Sequence, residues 1–122
     1  MSRETSSFEI SFFEKLVKGK PNYIDALIPL AEAYTKAGLY EKGLQIDKRL
    51  VKLRKNDFIV HYNLACSLAL AGEADGALST LERAIELGYN DFEHLKQDPD
   101  LKSLRDDPRF NSLIAKKTQQ LS

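Results

Sequence analysis

Two stretches of the sequence decide the fold: residues 27–38 read LIPLAEAYTKAG, and residues 61–72 read HYNLACSLALAG. They lie 34 residues apart, and each places apolar residues three and four positions apart before ending in Ala-Gly. That spacing is typical of one buried helix face, and a glycine after the last turn commonly ends a helix. The two stretches therefore predict two copies of one helical unit.

The 34-residue offset extends beyond these stretches. Nine of 34 positions are identical between the copies, namely Leu30/Leu64, Ala31/Ala65, Ala37/Ala71, Gly38/Gly72, Leu44/Leu78, Arg49/Arg83, Leu53/Leu87, Asn56/Asn90 and Asp57/Asp91. Most of the identical residues are small, apolar or turn-forming, which are the types that helix packing and tight turns require. Chance similarity would also occur at surface positions. The offset therefore predicts two full repeats of one packed structure.

Each repeat is predicted to contain two helices. The predicted ranges are about 23–37 and 40–54 in the first repeat, and 58–71 and 74–87 in the second. Side chains of Asn22 and Asp57 are expected to cap the first helix of each repeat, and Gly38, Gly72 and Gly88 are expected to end helices. Pro29 deletes one helical hydrogen bond, so we expect a kink or a late helix start there.

The segments outside the two repeats complete the predicted architecture. Ser6 followed by Glu9 resembles a capping box, which predicts an N-terminal helix over about 8–18. Asp98-Pro99 and Asp107-Pro108 are strong helix-start signals and predict short helices over 99–105 and about 108–119. Apolar residues of this segment are expected to fold back onto the repeats: Leu101, Leu104, Phe110, Leu113 and Ile114. No strand-like alternation bounded by turns is present, so no sheet is predicted.

The predicted fold is an all-α superhelix of helical hairpins in a single domain. It consists of two full repeats, an N-terminal half-repeat helix and a C-terminal cap of short helices. The expected boundaries are 1–7 for a flexible tail, 8–21 for the N-terminal helix, 22–57 and 58–91 for the repeats, and 92–122 for the closing segment.

Composition narrows the class of protein. The 122 residues are 43% hydrophobic and 30% charged, and 18 basic residues balance 18 acidic ones, so the net charge is zero. A neutral chain is a poor general binder of polyanions. Its single cysteine cannot form an internal disulfide, which fits a reducing, cytoplasmic setting. No apolar run approaches the roughly 18 residues of a membrane span, and residues 1–9 lack a signal-peptide pattern, so we expect no membrane association.

The period and its residues resemble the tetratricopeptide repeat. The first unit shows Leu27-x-x-Leu30-Ala31-x-x-Tyr34 and the second shows His61-x-x-Leu64-Ala65-x-x-Leu68. The resemblance covers about residues 8–91, and the Asp-Pro-rich segment after it is similar to one that closes many bacterial arrays of this family. Leu27 and His61 stand where the family usually has tryptophan, and Gly43 stands where it usually has alanine.

The resemblance implies a concave groove that binds a peptide or helix of a partner protein, and no enzymatic activity. Matched to the repeat, the groove would be lined by Asp25, Ile28, Glu32, Lys36, Ile59, Tyr62, Asn63, Cys66, Ala69 and Leu70. Tyr62, Cys66 and Leu70 would form its apolar anchor strip. Family members that clamp a chaperone's C-terminal carboxylate use lysine, asparagine and arginine, of which only Asn63 is matched, so no chaperone-tail binding is expected.

Catalytic, metal and cofactor sites are not predicted. Cys66 lies five residues after His61, about 140° around the helix, so the two cannot form a nucleophile–base pair there. His94 has Asp98 four residues later, but Asp98 is better explained as the cap before Pro99, and no further ligand lies at a recognisable spacing. Cys66 is then a small core or groove residue, His61 packs between the units, and His94 lies near the surface.

Two polar features leave alternatives open. Asp47 falls on the inward face of its helix, where it either accepts a hydrogen bond from His61 or Tyr62 or rotates to reach water. The basic residues Lys48, Arg49, Lys52, Arg54 and Lys55 form either a solvated face or a surface for nucleic acid. We expect no nucleic-acid binding, because no aromatic residue interleaves this run.

The partner protein itself cannot be identified from the sequence. The alternative to a partner-binding module is a structural homodimer that pairs through the broad apolar face of the N-terminal helix.

Overall fold

The structure of this chain, a computed structural model, describes the backbone of residues 3–121 and the side chains of residues 7–116. Within that part it is built from helices without any strand. The elements are α1 Arg3–Gly19, α2 Ile24–Lys36, α3 Tyr40–Leu53, α4 Phe58–Leu70, α5 Ala74–Glu86, α6 Phe92–Gln97, a 3₁₀ helix Pro99–Leu104 and α7 Pro108–Leu121. The predicted all-α array of helical hairpins is confirmed.

The chain divides into two compact units, which are residues Met1–Lys55 and Asn56–Ser122. Unit 1 contains α1 to α3, and unit 2 contains α4 to α7 with the 3₁₀ helix. The division falls close to the predicted boundary between the two repeats, and each unit contains one hairpin of the predicted 34-residue pattern.

Glycines follow the last turn of three helices. Gly38, Gly72 and Gly88 have φ angles of 79°, 82° and 121°, a left-handed conformation that only glycine adopts without strain. In the first hairpin the amide of Leu39 donates to the carbonyl of Tyr34, 2.8 Å away, and the equivalent bond recurs 34 residues later. This is the Schellman arrangement, which satisfies the last free carbonyls of a helix. The predicted turn glycines are therefore confirmed.

Unit 1 packs α2 between α1 and α3. Its fully buried leucines are Leu27, Leu30, Leu44 and Leu50. The hydroxyl of Tyr34 donates to a carboxylate oxygen of Glu14, 2.5 Å away, and thereby joins α2 to α1. At Gly43 a β-carbon would lie 3.0 Å from Oγ1 of Thr35, so the absence of a side chain lets α3 approach α2 closely.

Two expectations at the start of α2 are wrong. Asn22 does not cap the helix, because Tyr23 is the N-cap residue and no side chain caps this end. The helix is not delayed to Pro29 either, since it begins at Ile24 and the amides of Ala26 and Leu27 already bond to the carbonyl of Tyr23. Burial of these two apolar side chains offsets the bond that proline removes. A kink at Pro29 stays a prediction.

Helix α1 begins at Arg3, earlier than the predicted start near Phe8. Ser6 therefore lies within the helix and is not its cap, and residues 3–7 are helical where a flexible tail was expected; residues 1 and 2 lie outside the described part. The pattern of Ser6 and Glu9 predicted too late a start for α1, because the helix extends through these residues back to Arg3. One face of the helix carries exposed apolar side chains. Phe8 is 73% exposed, and Phe12 and Leu16 are exposed on the same face.

Unit 2 packs the closing segment against the α4–α5 hairpin. Leu81, Leu95, Leu101, Leu104 and Phe110 are fully buried in its core. The closing segment is therefore part of the same core as the hairpin. Among the predicted fold-back residues Ile114 is also buried, whereas Leu113 is only half-buried.

The predicted cap residues of the closing segment and of α4 are confirmed. Asp57 accepts from the amide of Ile59, Asp98 accepts from that of Asp100, and Asp107 accepts from that of Arg109. The helices differ in detail from the prediction, because Phe92–Gln97 forms an additional helix and the helix after Pro99 is a 3₁₀ helix ending at Leu104. The last helix continues to Leu121.

In addition to the cap at Asp107, salt bridges of Arg109 hold the start of α7 in place. The guanidinium of Arg109 lies 2.8 Å from a carboxylate oxygen of Asp75 on α5 and 2.8 Å from one of Asp107. These pairs are exposed, so their contribution to stability is small and falls with salt. Throughout the described residues, no helix combines the length and the apolar character that crossing a bilayer requires.

Candidate partner-binding site

The closing segment covers Tyr62 and Cys66, two residues of the predicted anchor strip on α4, whereas Leu70, the third, is half-buried. Tyr62, Cys66 and Ala69 are buried, with Tyr62 only 5% exposed. The 3₁₀ helix packs on α4, and the hydroxyl of Ser103 lies 3.5 Å from the carbonyl oxygen of Ala69. These three side chains therefore do not form the open surface that the repeat pattern suggested.

Asp98 is the centre of this covered face. The hydroxyl of Tyr62 donates to its Oδ2 over 2.5 Å, and the thiol of Cys66 lies 3.7 Å from the same oxygen. Its Oδ1 accepts from the amide of Asp100 at 3.0 Å, and Nε2 of His94 lies 3.2 Å from Oδ2. Asp98 is therefore the predicted helix cap, and the same carboxylate lies against His94, a pair that the sequence analysis considered only as possible metal ligands.

Burial controls the ionisation of this cluster. Burial, and then the hydrogen bond to Asp98, raise the pKa of Tyr62. Burial, and then the charges of Asp98 and Asp100, raise the pKa of the Cys66 thiol. Burial, and then the charge of Asp98, raise the pKa of Asp100. The cluster thus favours neutral forms of its tyrosine and thiol, and it keeps two carboxylates close together.

Cys66, Asp98 and Asp100 have ligand atoms within 4.8 Å of one another, the spacing of a possible metal site. A cysteine binds a metal as the thiolate, and the raised pKa of Cys66 opposes that form. The oxygens of Asp98 already accept hydrogen bonds from protein groups. We therefore assign no metal ion to this cluster, and the expected absence of a metal site stays a prediction.

An open cavity of about 340 Å³ lies beside the covered face, at the start of α4. Residues from α4, from the loop after α5 and from α6 line it, so it belongs entirely to unit 2. Rings form its walls, contributed by Phe58, Tyr62, Tyr89 and His94. Its other lining residues are Ile59, Asn63, Asn90 and Asp91.

The rings of the cavity form one connected aromatic group. Tyr62 and Tyr89 stack with their centroids 4.3 Å apart and their planes at 6°. Phe58 meets Tyr89 edge-on at 6.1 Å, and His94 lies 6.0 Å from Tyr62. The tyrosines are buried, whereas Phe58 and His94 are exposed, as is Ile59 at 48%. A rigid aromatic wall therefore stands next to side chains that a partner can reach.

The ten predicted groove residues thus separate into three groups. Ile59, Tyr62 and Asn63 come together in the cavity. Cys66 and Ala69 lie beneath the closing segment, and Leu70, near the end of α4, is half-buried. On α2 of unit 1, Ile28 is half-buried, and the remaining residues are exposed and charged: Asp25, Glu32 and Lys36.

The sequence analysis missed five lining residues: Phe58, Tyr89, Asn90, Asp91 and His94. Four of them follow α5, where the groove pattern of the repeat no longer applies. One signal was available, because Asn90-Asp91 matches Asn56-Asp57 and so marks the start of a helix that would present His94. Indeed, Asp91 caps α6 by accepting from the amide of His94 at 3.1 Å.

Asp47 is buried, so the alternative in which its helix rotates it into water is wrong. The proposed hydrogen bond from Tyr62 is also wrong, because that hydroxyl donates to Asp98. A hydrogen bond from His61 stays a prediction.

Comparison with known proteins gives two distant relatives. The chain is 31% identical over 84 residues to a protein of Arabidopsis thaliana whose name describes it as chloroplastic, a match that covers 66% of this chain and 25% of that protein. It is 24% identical over 86 residues to "Superkiller protein 3" of Saccharomyces cerevisiae, which covers 70% of this chain and 6% of that protein. No protein-family model matches the sequence. The helical-hairpin array of this chain therefore corresponds in sequence to a small part of each of these longer relatives.

Proposed function

We propose that this chain is a non-enzymatic protein-interaction module of the tetratricopeptide type, and that it binds a segment of a partner protein at the cavity of unit 2. Helical-hairpin repeats provide rigid surfaces for other polypeptides. The distant similarity to two long proteins agrees with a module that also occurs as part of larger chains.

The exposed apolar side chains at the start of α4 carry this proposal. Phe58 and Ile59 are exposed beside the buried Tyr62–Tyr89 stack, and a cavity opens between them and α6. Aromatic side chains held rigidly beside a reachable apolar group are typical of the centre of a protein interface. The polar side chains of Asn63 and Asn90 at the same site can bond to a peptide backbone.

A cytoplasmic location is part of the proposal. The single cysteine is a buried free thiol, which needs no oxidising compartment.

An Ile59→Lys variant tests the binding site. Ile59 is exposed, so the variant should fold with the wild-type circular dichroism spectrum and melting temperature. It should lose the proteins that the wild-type chain captures from an extract of its source cells, because a charge replaces an apolar contact. Tyr62 is unsuitable for this test, since a charge there would disrupt its buried bond to Asp98.

The matched control is Leu39→Lys, which places the same charge at an exposed leucine of unit 1. This control should keep the captured proteins. If Ile59→Lys captures the same proteins as the wild type, the cavity is not the binding site.

A structural homodimer is the second candidate, and the exposed stripe of Phe8, Phe12 and Leu16 on α1 favours it. Three large apolar side chains on successive turns of one helix form a face that a second copy could cover. Light scattering over a wide range of protein concentration should then show a dimer, and Phe12→Ser should shift it to monomer. A strict monomer at all concentrations excludes this candidate.

A further inference from the structure

We propose that the cavity of unit 2 takes an arginine side chain presented by an exposed segment of the partner. This inference rests on the proposed function, because it names the group that the same cavity would hold. It follows from the rings, the charges and the amide groups of the cavity taken together.

The rings provide surfaces for a planar cation. A guanidinium group stacks on aromatic faces and is attracted to them electrostatically, most strongly where water is excluded. Tyr62 and Tyr89 are fixed by stacking on each other, and Phe58 and His94 stand beside them. Because the rings are already held in place, binding costs little ordering of the site.

The charges around the cavity favour a cation. Asp91 is exposed in the lining, and none of the described lining residues is a lysine or an arginine. Asp98 and Asp100 lie close behind it, next to Tyr62 and His94. The guanidinium of Arg105 bonds to the backbone carbonyl of Asp98 and offsets part of this charge, so the exposed carboxylate of Asp91 supplies most of the negative potential in the opening.

The ion pair on α6 does not cancel the negative potential of the cavity. Lys96 lies 3.9 Å from a carboxylate oxygen of Glu93, and both side chains are exposed, so their mutual attraction is largely screened by water. The close approach of Asp98 and Asp100 is itself unfavourable, and the pKa of Asp100 is raised by burial and by this neighbour. A bound cation would relieve that repulsion.

Arginine fits better than the other side chains. Its planar donors can reach the carboxylate of Asp91 and the amide oxygens of Asn63 and Asn90 while its face lies on a ring. Lysine is a compact and strongly hydrated charge that loses more by leaving water. An anionic side chain would be repelled by the three carboxylates, and an apolar one would displace water from the exposed carboxylate of Asp91 without replacing the hydrogen bonds of that water.

Three terminally capped pentapeptides test this inference on the full-length chain. They are Gly-Ser-Xaa-Ser-Gly with arginine, with citrulline, which has nearly the same shape without the charge, and with leucine. Titrations followed by the NMR amide signals should show saturable shifts at Asn63, Asn90 and His94 with the arginine peptide. The citrulline peptide should bind at least about ten-fold more weakly, because the charge supplies most of the attraction.

The Asp91→Asn variant then tests the role of the carboxylate. Asparagine caps a helix about as well as aspartate, so α6 should stay folded. This variant should bind the arginine peptide about ten-fold more weakly than the wild type. The control Asp106→Asn, which removes an exposed carboxylate of the same unit outside the cavity, should bind it as the wild type does.

The outcomes separate this inference from the proposed function. Equal binding of the arginine and citrulline peptides, no binding of the arginine peptide, or an unaffected Asp91→Asn variant overturns the arginine inference. Saturable binding of the leucine peptide at the same amides, without preference for arginine, overturns it while leaving the cavity as a protein-binding site. The proposed function fails separately, if Ile59→Lys captures the same proteins as the wild type.

Discussion

Asp98 connects more elements of unit 2 than its place in a short loop suggests. Its carboxylate is bonded to Tyr62 and lies beside Cys66 on α4, beside His94 on α6, and against the first turn of the 3₁₀ helix. The guanidinium of Arg105 also donates to its backbone carbonyl, 2.6 Å away. One buried side chain thus holds the closing segment on the inner face of α4.

Replacing Asp98 with alanine should therefore destabilise unit 2 strongly. The change removes the acceptor of the buried Tyr62 hydroxyl and the cap of the 3₁₀ helix. We expect the free energy of unfolding to fall by about 2–4 kcal/mol. Urea denaturation followed by circular dichroism measures this change.

Asp106→Ala is the matched control, because Asp106 is an exposed aspartate in the same segment. Its free energy of unfolding should change by less than about 0.5 kcal/mol. Equal effects of the two substitutions would mean that the bonds of Asp98 contribute nothing to stability.

Cys66 should make stability fall at alkaline pH. The pKa of its thiol is raised in the folded protein above the ordinary value of 9.0, by burial first and by the nearby carboxylates second. The unfolded chain therefore loses the thiol proton at a lower pH than the folded chain. The stabilisation is complete below about pH 8 and is lost progressively as the pH rises through and above 9.

A Cys66→Ser variant measures this contribution, since serine keeps a hydrogen-bond donor but does not ionise in this range. Between about pH 8 and 10, its urea midpoint should fall less steeply than that of the wild type. If the urea midpoints of the two proteins fall equally steeply with pH, ionisation of Cys66 does not contribute to the loss of stability.

Local signals in the sequence predicted three helix caps correctly, although the caps expected at Asn22 and Ser6 were wrong. The caps Asp57, Asp98 and Asp107 follow from their position before a helix. The bond between Tyr62 and Asp98 spans 36 residues and leaves no local spacing to detect. For that reason Tyr62 and Cys66 were expected in an open groove, whereas the structure buries them.

At the scale of elements, the turn after α2 shows how the hairpins are ended. Gly38 has a positive φ, and a β-carbon added there would meet no atom within 4 Å. The need for glycine is therefore purely conformational. The same holds for Gly72, the equivalent residue of the second hairpin.

A Gly38→Ala substitution should lower the free energy of unfolding by about 1 kcal/mol, because alanine is strained at a positive φ. Chemical denaturation gives this value directly. Gly19→Ala is the control, since Gly19 ends α1 with open space around it and is not among the positive-φ glycines. It should stay within about 0.5 kcal/mol of the wild type, and a similar loss in both variants would refute the conformational explanation.

Helices that follow a clear sequence signal, such as a turn glycine or a capping aspartate, were located well from the sequence. Helices α3, α4 and α5 start at the predicted residues, Tyr40, Phe58 and Ala74. The start of α1 was missed because a serine–glutamate pattern occurs inside helices as well as at their ends. Helix α6 was missed because it has only six residues, too few for its apolar spacing to show.

At the scale of the whole molecule, the net charge of zero limits the attraction that the basic run around the end of α3 can exert on a polyanion. The run Lys48, Arg49, Lys52, Arg54 and Lys55 is exposed. Arg49 also donates to the carbonyl of Pro21, so part of the run is engaged within unit 1. The equal number of acidic residues weakens any field that reaches beyond the surface.

We therefore expect the full-length protein to pass through a heparin column at about 0.15 M salt, where surface charges are screened beyond about 8 Å. The elution position on a salt gradient measures this. Retention that is lost in a Lys48→Glu, Lys52→Glu variant would instead support the nucleic-acid alternative.

The stacked pair of Tyr62 and Tyr89 has a practical consequence. The sequence contains five tyrosines and no tryptophan, so near-ultraviolet absorption comes mainly from tyrosine. Two rings held parallel at 4.3 Å couple their electronic transitions, whereas separate tyrosines do not. Unit 2 thus carries an intrinsic chromophore, and near-ultraviolet dichroism can follow its melting or its occupancy without any label.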